Sequence, residues 1–416
     1  MKHLILFTGL YNLLFNLQVV LAISPDMEIP SYNHTYLDIT TEATPDPWIT
    51  YYNNKFYLTF TANDRIPMWE TSSLSNFNDP KTFQRWPVWH APESGPQSER
   101  LWAPELHALR GRWYIYFAAA DKTQGNRSHR MYVLGGPPST QDPHQGDWEL
   151  LGPIARMDQR QWAIDGTVFE LHETLYFVYS GWPRKRADEN GWEDRHEGVQ
   201  QLFIIRLSDP TTADSPATMI SHPSETWERL GGAHGAAINE GPQWLVSPAG
   251  HWRGLVYSCS GSWTKEYRMA TLQLLGNGDP LDPAHWLKSR RPLLQNRADG
   301  RGPYGPGHAS FLQTTGVDGE TVAVFHATDS DTDGSSGRKA RMQRVIWGKE
   351  GPDMGGEVGV RVGGVEEFLA GGRPAGEMEG VGMQVPVGGR EGGRGLRSLV
   401  EALGDGEGGK GHGELR

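Results

Sequence analysis

The sequence predicts an all-β fold, a five-bladed β-propeller, from three observations. A strand-turn-strand motif occurs five times, its starts lie 57, 62, 75 and about 67 residues apart, and helical signals are scarce. Repeats at so long a period indicate one structural unit copied along the chain. Each interval has room for two further strands, and four strands per unit is what a propeller blade needs.

The five motifs share a strand, a polar turn and a second strand of alternating aromatic and β-branched residues. They are "DPWITYYNNKFYLTFTA" from Asp46, "APELHALRGRWYIYFAA" from Ala103, "DGTVFELHETLYFVYSGW" from Asp165, "EGPQWLVSPAGHWRGLVYSCSGSW" from Glu240 and "GHASFLQTTGVDGETVAVFHATDS" from Gly307. A sandwich or Greek-key barrel is the alternative, but neither predicts copies of one hairpin at this spacing. The propeller domain is therefore expected over residues 30–350.

The amino-terminal segment, residues 1–22, has the layout of a secretory signal peptide. Lys2 and His3 precede an apolar run that ends at the small residue Ala22, and this order is typical of an export signal. A membrane anchor is the alternative, but two asparagines interrupt the run, which is short for a span. We therefore expect a secreted, extracellular protein.

Charge and cysteine content narrow the class of partner. The formal net charge is −11 and no basic stripe is present, which argues against nucleic acid or an anionic membrane. Cys259 is the only cysteine, so no internal disulfide can form. The 16 tryptophans and 37% hydrophobic residues supply a substantial core, and we expect a monomer.

Acidic residues stand at the start of three of the five motifs: Asp46, Asp165 and Glu240. The first strand of every propeller blade lies nearest the axis, so these residues are expected to converge on one small volume. Carboxylates brought together repel and lose solvation, which folding alone would not favour. The pattern therefore indicates a functional site rather than three independent turns.

Glycoside hydrolysis is the chemistry that uses such a group. One protonated acid donates to the leaving oxygen, while an ionised carboxylate activates water or attacks carbon. A neighbouring like charge helps, because it raises the pKa of one member. A lectin-like propeller that binds sugar without catalysis is the rival class, and it would need none of the three acids.

Six motifs then carry a resemblance to a known family. In order they are "DPWI", "LWAPELH", "RWYIYFAA", "IDGTVF", "NEGPQW" and "YGPGHASF". Across roughly residues 40–350 the chain resembles glycoside hydrolase family 43, secreted five-bladed propellers that act on plant cell-wall arabinan and xylan. The order and spacing of the six motifs are most similar to those of the α-L-arabinofuranosidase branch of this family.

The resemblance implies a role for each acid. Asp46 would be the general base and Glu240 the general acid, while Asp165 would raise the pKa of Glu240 and orient it. It also implies inversion of the anomeric centre, so that water is activated between carboxyl groups about 6.5 to 9.5 Å apart. The expected substrates are arabinan or arabinoxylan oligosaccharides, and the chemistry needs no cofactor.

His308, in "GPGH", resembles the family residue that binds a central ion, often calcium, through water. A histidine that only fills the axis with hydrogen bonds is the alternative, because histidine is a poor direct calcium ligand. A structural Ca²⁺ at the axis therefore enters as an expectation of the resemblance.

Three further residues are expected to bind substrate. Trp48 and Trp102 lie beside the acids in sequence, where an indole could stack on the apolar face of a sugar. Glu105 lies two residues after Ala103 and so on the same strand face.

Beyond residue 355 the chain becomes rich in glycine and nearly devoid of aromatic residues. Such a composition cannot bury enough surface to order itself, so residues 356–416 are expected to form a disordered tail. Within the enzyme class, β-xylosidase and endo-arabinanase activities stay open, because one fold hosts all three and its loops decide between them.

Overall fold

The computed structural model describes residues 35–183, 199–231, 237–313 and 320–369. Within these ranges the chain forms 25 strands, one α-helix, α1 (Val365–Leu369), and four short 3-10 turns, which confirms the predicted all-β class. None of the helices described there is long and apolar enough to cross a membrane. The predicted signal peptide, residues 1–22, lies outside the described residues.

The strands are numbered in chain order. The first twelve are β1 (Thr35–Asp38), β2 (Trp48–Tyr52), β3 (Lys55–Thr59), β4 (Arg65–Thr71), β5 (Gln84–His90), β6 (Glu99–Leu109), β7 (Arg112–Ala120), β8 (Arg130–Pro138), β9 (Glu149–Pro153), β10 (Ala163–Leu171), β11 (Thr174–Gly181) and β12 (Val199–Asp209). The remainder are β13 (Thr212–Ala213), β14 (Thr218–Ser221), β15 (Ala237–Val246), β16 (Arg253–Cys259), β17 (Arg268–Leu274), β18 (Trp286–Lys288), β19 (Leu294–Gln295), β20 (Tyr304–Gln313), β21 (Thr321–Thr328), β22 (Lys339–Gly348), β23 (Gly351–Asp353), β24 (Gly356–Glu357) and β25 (Val360–Arg361).

Strand pairing divides the described chain into five groups, each opened by one of the five sequence motifs. Group 1 is β2 to β5 and group 2 is β6 to β9, each a four-stranded antiparallel sheet. Group 3 (β10 to β14) and group 4 (β15 to β19, with β24) form one sheet through a short parallel contact between β12 and β15. Group 5 consists of β20 to β23 together with β1 and β25.

The first strands of the five groups contact one another in sequence. β2 contacts β6, β6 contacts β10, β10 contacts β15, β15 contacts β20, and β20 contacts β2. Five buried apolar clusters follow the same order, each built from two neighbouring groups. In one of them Phe177 of group 3 packs with Tyr116 of group 2. Burial between groups therefore supplies the core, which explains the many aromatic residues of the second strands.

In each of the five groups a residue at the equivalent position near the start of the first strand has a left-handed backbone. The five are Asp46 (φ 56°), Ala103 (45°), Asp165 (55°), Gly241 (54°) and His308 (49°). In groups 2 to 5 the strand register shifts around this position, as in a β-bulge. The sequence alignment is thus off by one residue in groups 4 and 5: Glu240 precedes the equivalent position, and His308 occupies it.

Neighbouring groups hold several of these left-handed residues in place. In each case a polar side chain at or just beyond the end of the preceding group's second strand accepts a hydrogen bond from the left-handed residue's backbone N–H. The pairs are Ala103 N–H to Thr61 Oγ1 (2.8 Å), His308 N–H to Ser258 Oγ (2.7 Å) and Asp46 N–H to His326 Nδ1 (3.0 Å). The strained backbone is therefore fixed by contacts distant in sequence.

The two ends of the described chain meet in group 5. β1 pairs antiparallel with β22, and β25 runs parallel to β1. Contrary to the expectation of a disordered tail from residue 356, residues 356–369 form β24, β25 and α1. The reason is that Val358, Val362 and Phe368 are buried among the apolar clusters. Residues 370–416 lie outside the described residues.

Candidate active site

Three acids that are far apart in sequence come together at the starts of the first strands. Asp46 lies two residues before β2, Asp165 lies in β10 and Glu240 lies in β15. All three are largely withdrawn from solvent: Asp165 is 4% exposed, Glu240 6%, and the Asp46 side chain 11%. The convergence expected from the repeat is therefore present, whereas the role of each acid stays a prediction.

His308 joins two of the acids. Its Nδ1 lies 3.2 Å from Asp46 Oδ1 and 4.0 Å from Asp165 Oδ2. Burial by itself would lower the pKa of His308, but the carboxylates of Asp165 and Asp46 outweigh it and raise that pKa to about 9. The imidazole is therefore a cation at neutral pH, placed between two acids.

Asp46 is surrounded by groups that favour its ionised form. Arg338 Nη1 donates to Asp46 Oδ1 at 3.1 Å, and Thr61 Oγ1 donates to Asp46 Oδ2 at 2.7 Å. Burial would raise the pKa of Asp46, but the positive charges of Arg338 and His308 hold it well below its ordinary value. Asp46 is thus an ionised carboxylate at neutral pH.

His326 differs from His308 in its charge state. Because its Nδ1 accepts the backbone N–H of Asp46, that nitrogen carries no proton. Complete burial, with the nearby positive charge of Arg338, keeps the pKa of His326 well below its ordinary value. His326 is therefore a neutral acceptor, which leaves the Asp46 carboxylate with Arg338 and His308 as its charged partners.

The pKa of Glu240 moves in the opposite direction from that of Asp46. Burial is the main cause, the negative charge of Asp165 adds to it, and together they raise the pKa of Glu240 to about 8. The Tyr267 hydroxyl beside the Glu240 carboxyl works against this rise. Asp165 also has a raised pKa, about 6, mainly through burial, although His308 and the Gly241 N–H at 3.1 Å stabilise its charged form.

At neutral pH Asp46 and Asp165 are therefore mainly ionised, whereas Glu240 is mainly protonated. Asp46 can accept a proton and Glu240 can donate one. The pKa of Asp165 lies between the pKa values of these two acids. Environments that push the pKa values of neighbouring acids apart are how one site performs both base and acid catalysis.

Sequence reasoning missed four residues of this site: Thr61, Tyr267, His326 and Arg338. Each lies on a second strand or a loop that follows it, away from the motif starts that carry the acids. Tyr267 left one indirect signal, the glycine at position 307. A Cβ added there would lie 2.1 Å from Tyr267 Cε1. The Tyr267 ring therefore packs so closely on the backbone of residue 307 that only glycine fits at this position.

The structure places both predicted substrate-binding tryptophans against protein groups. Trp48 Nε1 donates to the Leu106 carbonyl at 2.9 Å, and its ring packs on His107 between β2 and β6. Trp102 Nε1 donates to Asn63 Oδ1 at 3.0 Å, and its ring stacks on His129 with centroids 4.0 Å apart. Both rings are partly exposed, and their contact with substrate stays a prediction.

Glu105 is more deeply buried, at 2% exposed. Its Oε2 lies 2.9 Å from His107 Nε2, and its Oε1 accepts from Gln243 Nε2. The carboxylate therefore links β6 to β15. Glu105 lies two positions after the left-handed Ala103, and Gln243 lies two positions after the left-handed Gly241, so the two side chains extend towards each other from equivalent places in their strands. Its predicted contact with substrate has no support from these partners.

The expected axial calcium is not supported. Among the described residues, no group of three or more histidine, cysteine, aspartate or glutamate side chains is arranged to hold a metal ion. His308 Nδ1 faces the carboxylates of Asp46 and Asp165 directly. Beside these acids the structure places the positive charges of His308 and Arg338.

Comparison with known proteins identifies a family and several relatives. The sequence model of glycosyl hydrolases family 43 matches residues 39–352. An extracellular exo-α-(1→5)-L-arabinofuranosidase of Streptomyces avermitilis is 30% identical over 77% of this chain and 63% of its own length. Alpha-L-arabinofuranosidase 43 of Humicola insolens is 31% identical over 78% of this chain and 64% of its own length. The matched region thus spans less than two thirds of these two relatives.

Solved structures give the same picture. The α-L-arabinofuranosidase of Lactobacillus brevis superposes with a TM-score of 0.62 at 25% identity, over 76% of this chain and 94% of that one. An endo-arabinase of Bacteroides thetaiotaomicron superposes with a TM-score of 0.55 at 16% identity, over 76% and 98%. At 16% identity the second likeness extends to the fold alone.

Proposed function

The chain belongs to glycosyl hydrolases family 43, and from that membership we propose that it is an inverting hydrolase releasing α-L-arabinofuranosyl residues from arabinan or arabinoxylan oligosaccharides. The observation that carries the proposal is the cluster of Asp46, Asp165 and Glu240 with their separated pKa values.

We also propose that the five groups of strands are the five blades of a propeller, over the predicted domain of residues 30–350. Support comes from the contacts of the first strands, which return from β20 to β2. The five apolar clusters between successive groups add to that support. In such an arrangement the starts of the first strands open onto one end of the axis.

In the proposed mechanism Asp46 is the general base. Its carboxylate, kept ionised by Arg338 and His308, takes a proton from the water that attacks the anomeric carbon. The C–O bond to the leaving group breaks as the new bond forms on the opposite face, so the product has the inverted configuration. Water needs a place between base and sugar, which is why Asp46 does not itself attack carbon.

Glu240 is the proposed general acid. Its pKa of about 8 keeps it protonated at neutral pH, so it can give its proton to the departing oxygen. Asp165 is the proposed third acid, whose charge raises the pKa of Glu240 and whose hydrogen bond to the Gly241 N–H orients the adjoining backbone. Trp48 and Trp102 are proposed to contact the sugar with the exposed parts of their rings.

The choice of sugar rests on the relatives. The matched proteins from Streptomyces avermitilis and Humicola insolens carry arabinofuranosidase names. A xylan β-1,4-xylosidase and an endo-arabinase share the fold at 14% and 16% identity, so β-xylosidase and endo-arabinanase stay the alternatives. We propose a secreted protein, since the Streptomyces avermitilis relative is named extracellular.

The test compares the 4-nitrophenyl α-L-arabinofuranoside, the 4-nitrophenyl β-xyloside and linear arabinan as substrates of the purified protein. We expect the arabinofuranoside to be preferred and the first-formed sugar, followed by NMR, to have the inverted configuration. Preference for the xyloside or for internal cleavage of arabinan would overturn the substrate assignment. A retained configuration would overturn the assignment of Asp46 as a base.

The assignment of Glu240 as the general acid is tested by a substitution at that residue. Glu240→Gln keeps the shape of the side chain but cannot donate a proton, so kcat is expected to fall on the order of 10²- to 10⁴-fold. Glu149→Gln, at an exposed position in β9, is the matched control and should retain full activity. Circular dichroism and thermal unfolding check that both variants fold, and an active Glu240→Gln protein would contradict the assignment.

A further inference from the structure

A buried polar network lies directly behind Glu240. Its centre is Glu228, 0% exposed, at the end of a 3-10 turn that spans Thr226–Glu228. Lys288, Tyr257, Asn239 and Ser221 complete what we call the Glu228 cluster. None of them carries chemistry in the proposed mechanism.

The Glu228 carboxylate accepts hydrogen bonds on both oxygens. Oε1 accepts from Asn239 Nδ2 at 2.7 Å, Tyr257 OH at 2.8 Å and Lys288 Nζ at 2.8 Å. Oε2 accepts from Lys288 Nζ at 3.0 Å and from the Glu225 N–H at 2.8 Å. Four donor groups make five hydrogen bonds to this carboxylate and fix it in one orientation.

Asn239 connects the cluster to the active site, because it is the residue before Glu240. Its Nδ2 donates to Glu228, and its Oδ1 accepts from Ser221 Oγ at 2.7 Å and Lys288 Nζ at 3.4 Å. Its backbone carbonyl accepts from Ser180 Oγ at 2.9 Å. Both the amide nitrogen and the amide oxygen of the Asn239 side chain are therefore hydrogen-bonded.

Glu240 needs such support because the strand is irregular there. β15 pairs regularly with β16 up to Glu240, and its register then shifts before Gln243. After Glu240 the left-handed Gly241 donates its N–H to Asp165. The acid therefore stands between two anchored residues, Asn239 on one side and Gly241 on the other.

Stability alone does not account for this arrangement. Withdrawing an ammonium and a carboxylate from water costs about as much as their attraction returns, so an apolar pair of similar volume is often as stable. Buried polar groups that are fully paired do, however, specify a single geometry. We therefore expect the Glu228 cluster to fix the position of Asn239, and with it the backbone of the adjacent Glu240, rather than to add stability.

We propose that Glu228 and Lys288 are positioning residues which, through Asn239, aim the carboxyl group of Glu240 at the leaving oxygen. This inference rests on the proposed role of Glu240 as general acid. It assigns to the cluster an effect on proton donation rather than on sugar binding.

The test uses the double variant Glu228→Gln/Lys288→Met, which removes both charges and so leaves no unpaired charge in the interior. Two substrates with the same sugar are compared: an oligosaccharide, whose alkoxide leaving group needs a proton, and a dinitrophenyl glycoside, whose leaving group does not. We expect kcat to fall on the order of 10- to 100-fold on the oligosaccharide. The dinitrophenyl substrate should lose less than about three-fold, with KM unchanged for both.

The matched control is Glu70→Gln/Lys55→Met. Glu70, in β4, is also a buried acid and lies 2.7 Å from Lys55 Nζ. Lys55 is at the turn end of the β2–β3 hairpin, away from Asp46. This pair should show no dependence on the leaving group. If the Glu228/Lys288 variant fails to fold, Ser221→Ala, which removes one bond to Asn239, is expected to give a smaller loss with the same dependence.

Equal losses on both substrates, or no loss on either, would overturn the positioning role. Glu240→Gln measured on the same two substrates separates this inference from the proposed function. If that variant shows no dependence on the leaving group, the assignment of Glu240 as acid fails. If it shows the dependence and the cluster variants do not, only the positioning role fails.

Discussion

At the scale of single residues, two carboxyl groups in one buried site differ because their nearest charges differ. Asp46 has Arg338 at 3.1 Å and the His308 imidazolium at 3.2 Å. Glu240 has burial and the negative charge of Asp165, and these raise its pKa to about 8. Burial acts on both acids in the same direction, so the neighbouring charges decide which acid stays ionised.

Asp165→Asn tests this account through the pH dependence of kcat/KM. The wild-type protein should lose activity as pH rises through the pKa of Glu240, about 8. Because the charge of Asp165 raises that pKa, its removal lowers the pKa of Glu240, and the alkaline limb should move to lower pH. The limb should stay above the ordinary pKa of glutamate, since burial is the larger cause.

Exposed Asp147, replaced by asparagine, is the control for that measurement and should leave the profile unchanged. An alkaline limb of Asp165→Asn at the wild-type position would contradict the proposed influence of Asp165 on Glu240. The limbs are read from kcat/KM because this ratio reports on the free enzyme.

The acids of the site could be found from the sequence, whereas their partners could not. Asp46, Asp165 and Glu240 stand at repeated positions of a local pattern, which is visible without a structure. Arg338 reaches Asp46 across 292 positions of the chain, and no spacing rule links the two. Glu105 shows the converse: its strand face was predicted, but its partner Gln243 belongs to another group.

At the scale of elements, the start of each first strand is a strained turn held from outside. Four of the five left-handed residues are not glycine, and such conformations cost energy that neighbouring structure must supply. In three groups the preceding group provides an acceptor for the N–H of that residue. The same contacts that hold the backbone therefore also position the functional side chains.

Gly307→Ala tests how tightly one of these starts is packed. A Cβ at position 307 would lie 2.1 to 3.0 Å from the Tyr267 ring, which is itself stacked on His326 and cannot move freely. We expect a loss of about 1 to 3 kcal/mol in the free energy of unfolding, measured by denaturant titration. Activity should also fall, because Tyr267 lies beside Glu240.

Gly348→Ala is the matched control, because an added Cβ there meets only the Gly351 carbonyl at 3.7 Å. Its stability should stay within about 0.5 kcal/mol of the wild type. Equal stability of Gly307→Ala and Gly348→Ala would show that the Tyr267 ring can yield, contrary to the packing seen here.

At the scale of the whole molecule, group 5 is built from both ends of the described chain. β1 supplies a strand beside β22, and β25 adds to β1. The glycine-rich composition beyond residue 355 predicts disorder, but three spaced apolar residues are enough to order residues 356–369. They are buried in two clusters whose remaining buried members come from earlier parts of the chain.

Phe368→Ala measures that contribution. The side chain is 2% exposed and belongs to the cluster that contains Leu37 and Phe56, so its truncation should cost about 3 to 5 kcal/mol. Val360→Ala, at a position 60% exposed in β25, should cost no more than about 0.5 kcal/mol. Thermal or denaturant unfolding measures the stability of the two variants. A Phe368→Ala protein as stable as the wild type would show that α1 is not needed for stability.

The sequence by itself determined the all-β class, the five hairpins and the three acids, because strand alternation, turn residues and repeat spacing are local properties of the chain. The tertiary structure decided which residues meet. It placed Glu240 one position before the left-handed residue, brought Arg338 and His308 to Asp46, and joined β1 to β22. These contacts depend on how separate hairpins pack together, and no local pattern records that packing.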